Sequence, residues 1–238
     1  MINTAMILGA GLGTRMRPLT ITVPKPLVLL QNRPLIDHVI DRLSGAGITK
    51  VVVNVHYLAD KLEEHLKKTK NPRIIISDER QKLLDTGGGI IKALPLIGPN
   101  PFIIHNSDTT WIEKKEKWIN ALINAWDPDR MDALMILAHK SQSIGYEGEG
   151  DFFIETSGAL RRREKNSTAP YVFAGVSIAH PRIFLNNPID TFSLNVLWDR
   201  AMKNDRLHGI KVEGTWMHLG TPSALKAAEE QLKQIIAY

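Results

Sequence analysis

Leu8-Gly9-Ala10-Gly11-Leu12-Gly13-Thr14-Arg15-Met16-Arg17-Pro18, followed by Pro24-Lys25-Pro26, is the stretch around which the chain is organised. The apolar residues 4–8 that enter it are few and bounded by glycine, the pattern of a buried strand. Three glycines in five residues allow a sharp turn and leave backbone N–H groups unobstructed, a surface suited to phosphate oxygens. Residues 1–36 hold Arg15, Arg17, Lys25 and Arg33 and no acid; the first acid is Asp37. Backbone donors and uncompensated cations together predict a polyanion site.

Spacing decides which kind of phosphate loop this is. A Rossmann dinucleotide fingerprint, G-x-G-x-x-G, is met at Gly9 and Gly11 but not at Thr14, and the acid expected about 20 residues later is missing. A P-loop, G-x-x-x-x-G-K-[ST], fails at Thr14 as well. The residues instead fit G-x-G-T-R-x-R-P-L-T and then P-K-P, here Gly11-Leu12-Gly13-Thr14-Arg15-Met16-Arg17-Pro18-Leu19-Thr20 and Pro24-Lys25-Pro26. In this the chain resembles the sugar-1-phosphate nucleotidylyltransferases.

The chain has 238 residues, 43% hydrophobic and 23% charged, ordinary for a globular protein and enough for a sizeable core. It has no apolar run of ~20 residues that would span a bilayer, and no signal peptide is visible. No cysteine is present, which excludes disulfides, thiolate metal sites and a cysteine nucleophile; a cytoplasmic protein is expected. The net charge of +5 is largely that of the first 36 residues, and no aromatics interleave with a basic stripe, so nucleic acid is not the expected partner.

Along the chain, short apolar runs alternate with helical periodicity. Leu35, Ile36, Val39, Ile40 and Leu43 share one helix face, stopped at Gly45 and Gly47, and residues 50–55 and 73–76 read as strands on either side of a second helix. This pace implies βαβ units: an α/β fold, with a mixed, mostly parallel sheet flanked by helices and ligands at the carboxyl ends of its strands. Thr86-Gly87-Gly88-Gly89 opens another helix. Residues 102–105 form a buried strand ending in Asn106-Ser107-Asp108, where a carboxylate suits Mg2+, unless it caps a turn with Thr109 and Thr110. Residues 141–150, polar and glycine-rich, read as a mobile connection, and 152–162 as a hairpin with Arg161-Arg162-Arg163 at its solvated end. Gly175 interrupts the next strand, a sign of close approach by a ligand or backbone. The last helix carries Leu225, Ala228, Leu232 and Ile235 on one side.

The resemblance covers essentially the whole chain and implies a single Rossmann-like domain of the nucleotide-diphospho-sugar transferase type. Residues 1–110 would form its nucleotide-binding half and residues 111–238 its sugar-phosphate half. The implied reaction is attack by a sugar 1-phosphate oxygen on the α-phosphorus of a nucleoside triphosphate. Arg15, Lys25 and Asp108 would be catalytic. Leu8, Gly9, Ala10, Gly11, Gly13 and Thr14 would hold the triphosphate, and Gly87 and Gly88 would lie against the base. Gly150, Asp151 and Gly175 would meet the sugar, with Lys165 at its phosphate. Asp108 would hold Mg2+, or Mn2+ or another divalent cation. The family's second metal aspartate, in W-x-D-x-G-T, is replaced by His218 in Trp216-Met217-His218-Leu219-Gly220-Thr221. Three roles stand open for it: ligand to a softer cation, bystander to an ion held by Asp108, phosphates and water, or cationic phosphate contact. Chain length, residues 84–90 and residues 148–152 bring the chain nearest the short bacterial enzymes that activate N-acetylmuramate 1-phosphate with UTP, which implies peptidoglycan recycling. The alternatives are mannose-1-phosphate guanylyl transfer, glucose-1-phosphate uridylyl or thymidylyl transfer, or a nucleotide-binding regulator without catalysis. Monomer and homodimer are both open.

Overall fold

The alternating apolar runs of the first hundred residues become parallel strands, as expected from their spacing. The computed structural model describes residues 1–236. In chain order the elements begin β1 (Thr4–Leu8), β2 (Leu29–Leu30), β3 (Arg33–Pro34), α1 (Leu35–Gly45), β4 (Lys50–Val55), α2 (Ala59–Leu66), β5 (Arg73–Asp78), α3 (Asp85–Ile97) and β6 (Phe102–Asn106). They continue β7 (Thr109–Glu113), α4 (Trp118–Asn124), β8 (Ala133–His139), β9 (Ser143–Ile144), β10 (Phe152–Ile154) and β11 (Leu160–Arg162). The last are β12 (Tyr171–Ala179), α5 (Asn195–Lys203), β13 (Leu207–Lys211), β14 (Gly214–His218) and α6 (Pro222–Ile236).

One large mixed sheet runs β5-β4-β1-β6-β12, with β8-β13 and β10-β11 continuing from β12. Strands β5, β4, β1 and β6 are parallel, and β12 is antiparallel to both β6 and β8. Both faces are covered, so alternate residues of a strand enter different cores. Ala5, Ile7, Val51, Val53 and Ile103 face α1, α2 and α4, while Met6, Val52 and Ile104 face α3 and α5. The expected α/β architecture is thus the observed one.

Two features differ from the sequence expectation, and together they assemble the site. Residues 109–113 do not cap a turn with Asp108. They form β7, which pairs antiparallel with β14 and sets His218 opposite Thr109. Residues 141–150, expected as a loose connection, contain a short helical turn and β9, which pairs parallel with β14. This small sheet, β7-β14-β9, is tied to β12 by a contact the periodicity did not reveal: Trp216 Nε1 donates to the Ala174 carbonyl at 2.9 Å. A third apolar cluster, of Met16, Val28, Leu30, Leu35, Met217, Leu219 and Ala228, pins the glycine loop and α6 to it. Leu225 and Leu232 pack there from α6 as expected, and the side chain of Ile235 lies outside the described residues.

Candidate active site

The register of the parallel strands sets Leu8, Asn54 and Asn106 side by side at their carboxyl ends. The glycine loop leaves from there. Gly9 lies so close to β4 that a Cβ would fall 2.9 Å from the Asn54 carbonyl oxygen, and Gly13 sits at φ +63°, in the left-handed region. Gly9 N–H donates to Asn54 Oδ1 at 2.8 Å, and Thr20 Oγ1 donates to the Gly13 carbonyl at 2.7 Å, which closes the loop. Among the described residues, the amides of Ala10, Gly11, Leu12 and Gly13 donate to no protein group. A Cβ on Gly11 would meet nothing within 4 Å. Free donors beside open space make an anion cradle.

That cradle is one wall of a cleft of about 550 Å³. Leu8, Gly9, Ala10, Gly11, Gly13, Thr14, Arg15, Lys25 and Asp108 all line it, so the structure brings together every residue expected at the triphosphate. Gly87 and Gly88 are placed elsewhere. They are buried in the first turn of α3, where a Cβ would strike the Phe192 ring at 2.4 Å or the Asp190 carbonyl oxygen at 1.9 Å. These glycines admit the 190–192 segment. The cleft wall beside them is built by Leu83, Asp85, Thr86 and Thr191.

At the floor of the cleft Lys25 Nζ donates to Asp108 Oδ2, and both side chains are largely buried. Burial works to raise the Asp108 pKa, but the Lys25 ammonium, aided by His218 and Arg15, outweighs it and holds the carboxyl below its usual range. The His218 pKa moves down: burial leads, Lys25 and Arg15 add to it, and Asp108 opposes. His218 therefore holds a proton less readily than a free imidazole does. Its Nε2 edge faces Gly220, where a Cβ would lie 2.5 Å away, and Gly220 lines the same cleft. Among the described residues no group of three or more His, Cys, Asp or Glu converges anywhere. The one carboxylate here fits a divalent ion that takes its other ligands from phosphate oxygens and water, the habit of Mg2+, whereas the imidazole of His218 suits a softer cation.

A second cleft of about 290 Å³ adjoins the first and shares Asn106 with it. Asp151 and His218 line it, together with Thr109, Tyr146, Phe152, Arg162, Asn195, Trp198 and Trp216. Asp151 is a buttress: its Oδ1 accepts from Tyr146 Oη at 3.2 Å and its Oδ2 from Phe173 N–H at 2.9 Å. Gly150 and Gly175 support the cleft from behind. A Cβ on Gly150 would strike the Ala169 carbonyl oxygen, and one on Gly175 would press on Thr109 and Asn106. Lys165 is exposed and lines neither cleft. Arg162, expected as the solvated end of a hairpin, is instead the cation of the second cleft, held by Asp199. The sequence signal for it was period 2: Phe152 and Arg162 are cross-strand partners and share a face.

A buried link behind the loop also escaped sequence reasoning. Asn54 Nδ2 donates to Glu79 Oε1 at 2.7 Å, and Glu79 Oε2 accepts from Leu84 N–H at 3.1 Å. Glu79, fully buried, thus ties Gly9, through Asn54, to the segment that forms the opposite cleft wall.

Comparison with known proteins agrees with this geometry. The sequence profile of the family described as "Nucleotidyl transferase" matches residues 4–146. The chain is similar to the N-acetylmuramate alpha-1-phosphate uridylyltransferase of Caulobacter vibrioides, 46% identical over 234 residues, covering 97% of each chain. It is 35% identical to the protein of the same name from Neisseria meningitidis serogroup B, covering 94% of this chain and 96% of that one. Among solved structures, HddC from Yersinia pseudotuberculosis complexed with GMP-PN superposes with a TM-score of 0.78 at 21% identity, covering 97% of this chain and 100% of that one. A UDP-glucose pyrophosphorylase complexed with UDP-glucose gives 0.78 at 18% identity, with 98% and 99% covered. At such identities the two structures speak for the fold alone.

Proposed function

This chain belongs to the nucleotidyl transferase family, and within it we propose that it transfers a uridylyl group from UTP to N-acetylmuramate 1-phosphate, releasing pyrophosphate. The observation that carries the reading is the Lys25–Asp108 pair standing where the glycine-loop cleft meets the second cleft at Asn106. One cleft offers free amides and Arg15 to a triphosphate; the other offers a walled pocket to a sugar. The two proteins named above supply the choice of base and sugar.

No side chain need act as a nucleophile. The incoming phosphate oxygen attacks the α-phosphorus and pyrophosphate departs, so catalysis rests on aligning two anions and neutralising the charge that builds between them. The amides of residues 10–13 and Arg15 hold the β- and γ-phosphates and then the leaving pyrophosphate. Lys25, stiffened between Pro24 and Pro26, exchanges its partner Asp108 for phosphate oxygens of both substrates. Asp108, kept ionised chiefly by Lys25, would hold a divalent cation together with phosphate oxygens and water, with His218 beside it. That cation, Mg2+ in this reading, supplies charge neutralisation and polarises the α-phosphoryl group. Residues 1–110 serve the nucleotide and the remainder the sugar phosphate, with Thr191 and Gly220 crossing over to the nucleotide cleft. A reaction that consumes UTP implies a cytoplasmic protein, and no described helix is long and apolar enough to cross a membrane.

The test is pyrophosphate release from the purified protein in Mg2+, across four nucleoside triphosphates and N-acetylmuramate, glucose and mannose 1-phosphates. UTP with N-acetylmuramate 1-phosphate is the expected productive pair. A guanylyl or thymidylyl product with mannose or glucose 1-phosphate overturns the substrate assignment and keeps the reaction class. Nucleotide binding without release from any pair overturns both.

A further inference from the structure

The second cleft is lined by one acid, one permanent cation and one imidazole: Asp151, Arg162 and His218. Asp151 is occupied by Tyr146 and the Phe173 amide, and Arg162 is paired with Asp199, so what the cleft offers a ligand is the unused edge of the guanidinium. Its guanidinium is built into place. It lies over the Phe152 ring, 5.0 Å from the centroid. Asp199 Oδ1 accepts from Nε at 2.8 Å and lies 2.7 Å from Nη2 in an ion pair, and Asn195 Oδ1 accepts from Nη2 at 3.4 Å. Among the described residues Nη1 donates to no protein group. One edge of the fork is fixed by protein, and the other is left for something in the cleft.

Strand register tells how far this is from the reacting atoms. Phe152, the cross-strand partner of Arg162, pairs with Tyr171 at the start of β12. Thr109 and Asn106, at the reacting end of the cleft, pack on Gly175 of the same strand. Four residues of β12, including a bulge at Gly175 with φ +79°, separate these two ends of the cleft. A sugar 1-phosphate whose phosphate lies at Lys25 and Asp108 therefore turns the substituents remote from its anomeric carbon toward Arg162. A preorganised guanidinium facing that edge matches a second anion on the sugar, since a carboxylate accepts from it in charge-assisted bonds.

We infer that Arg162 is a specificity residue that binds a carboxylate on the sugar: the lactyl carboxylate, the group by which N-acetylmuramate differs from N-acetylglucosamine. This rests on the N-acetylmuramate reading above. The test is calorimetric titration of wild type, Arg162→Gln and Arg162→Lys with N-acetylmuramate 1-phosphate and with N-acetylglucosamine 1-phosphate. UTP affinity serves as the check on folding. Wild type prefers the muramate; Arg162→Gln loses that preference by about 10- to 100-fold, the range of one charged hydrogen-bonded contact. Arg162→Lys, with the charge but not the fork, recovers part of it. If wild type prefers the muramate and Arg162→Gln keeps the preference, or weakens both sugars alike, Arg162 is only a brace for α5 and this inference falls alone. If wild type has no affinity for the muramate, the substrate reading falls and takes this inference with it.

Discussion

The two clefts are built on opposite principles. One wall of the first is backbone: a single run of residues 8–15, at the ends of parallel strands, presents free amides and small residues. The second is made by side chains from β7, β10, β11, α5 and β14, on the antiparallel side of the sheet. A contiguous backbone site is written in one motif and tolerates few changes. A composite side-chain site can be altered one group at a time, so selectivity for the sugar is the property it can vary. The proposed chemistry sits at the seam between them, where Lys25 and Asp108 of the first cleft approach His218, which lines the second.

The comparison breaks most readily at that seam. Lys25→Ala removes a charge donor to the developing transition state, and turnover falls at least ~100-fold. Pyrophosphate release in steady state reads this directly, and near wild-type turnover would place the chemistry elsewhere. His105, on β6 between the parallel and antiparallel parts, tests the seam by pH. Burial lowers its pKa to about 4, against opposing help from the Asn106 carbonyl. The unfolded chain takes up the proton near 6.5 and the fold refuses it until about 4. Stability is therefore untouched above pH 6.5 and falls by roughly 3 kcal/mol between there and pH 4. Urea unfolding at pH 7 and 4.5 should show a smaller loss in His105→Asn than in wild type; equal losses would mean His105 is protonated in the fold.

Within the backbone cleft, Glu79→Gln presents an amide donor to either Asn54 Nδ2 or Leu84 N–H, where an acceptor is needed. The cost is about 1–3 kcal/mol of stability, with a raised KM for UTP because Gly9 loses its support. Thermal unfolding and initial rates check it, and an unchanged KM would confine Glu79 to the core. His218→Asp adds a second carboxylate beside Asp108, and the Mg2+ concentration for half-maximal rate should fall several-fold by analogy with a site of more oxygen ligands. An unmoved Mg2+ titration would remove His218 from the metal. The smallest effect is Lys165→Ala. The side chain is exposed and lines neither cleft, so KM for the sugar phosphate should change by less than about 2-fold. A tenfold rise would return Lys165 to the sugar phosphate.

How much of this was legible follows from the same contrast. The parallel strands, α1, the loop and Asp108 at the end of β6 could all be read, because each is specified by residues adjacent in sequence. The small sheet could not: β9 has two residues, and β14 lies in a segment whose motif drew attention to chemistry rather than to alternation. Missing that sheet hid why His218 faces Thr109 and so lies near Asp108. Gly87 and Gly88, expected against the base, instead make room for Phe192 and Asp190, about a hundred residues away. Arg162 and Lys165 were exchanged for the same reason. Three arginines in a row read as a solvated turn, and only pairing with Phe152 and the reach of Asp199 from α5 turn the middle one inward.

The most direct test of the account is to supply UTP and N-acetylmuramate 1-phosphate with Mg2+, each alone and then together, and to follow pyrophosphate alongside the phosphorus spectrum. One pyrophosphate for each new diphosphate diester, formed only when both substrates are present and lost in Lys25→Ala, is the predicted result. Pyrophosphate from UTP alone, or a diester formed at full rate without Lys25, would contradict transfer between two clefts that meet at Lys25 and Asp108.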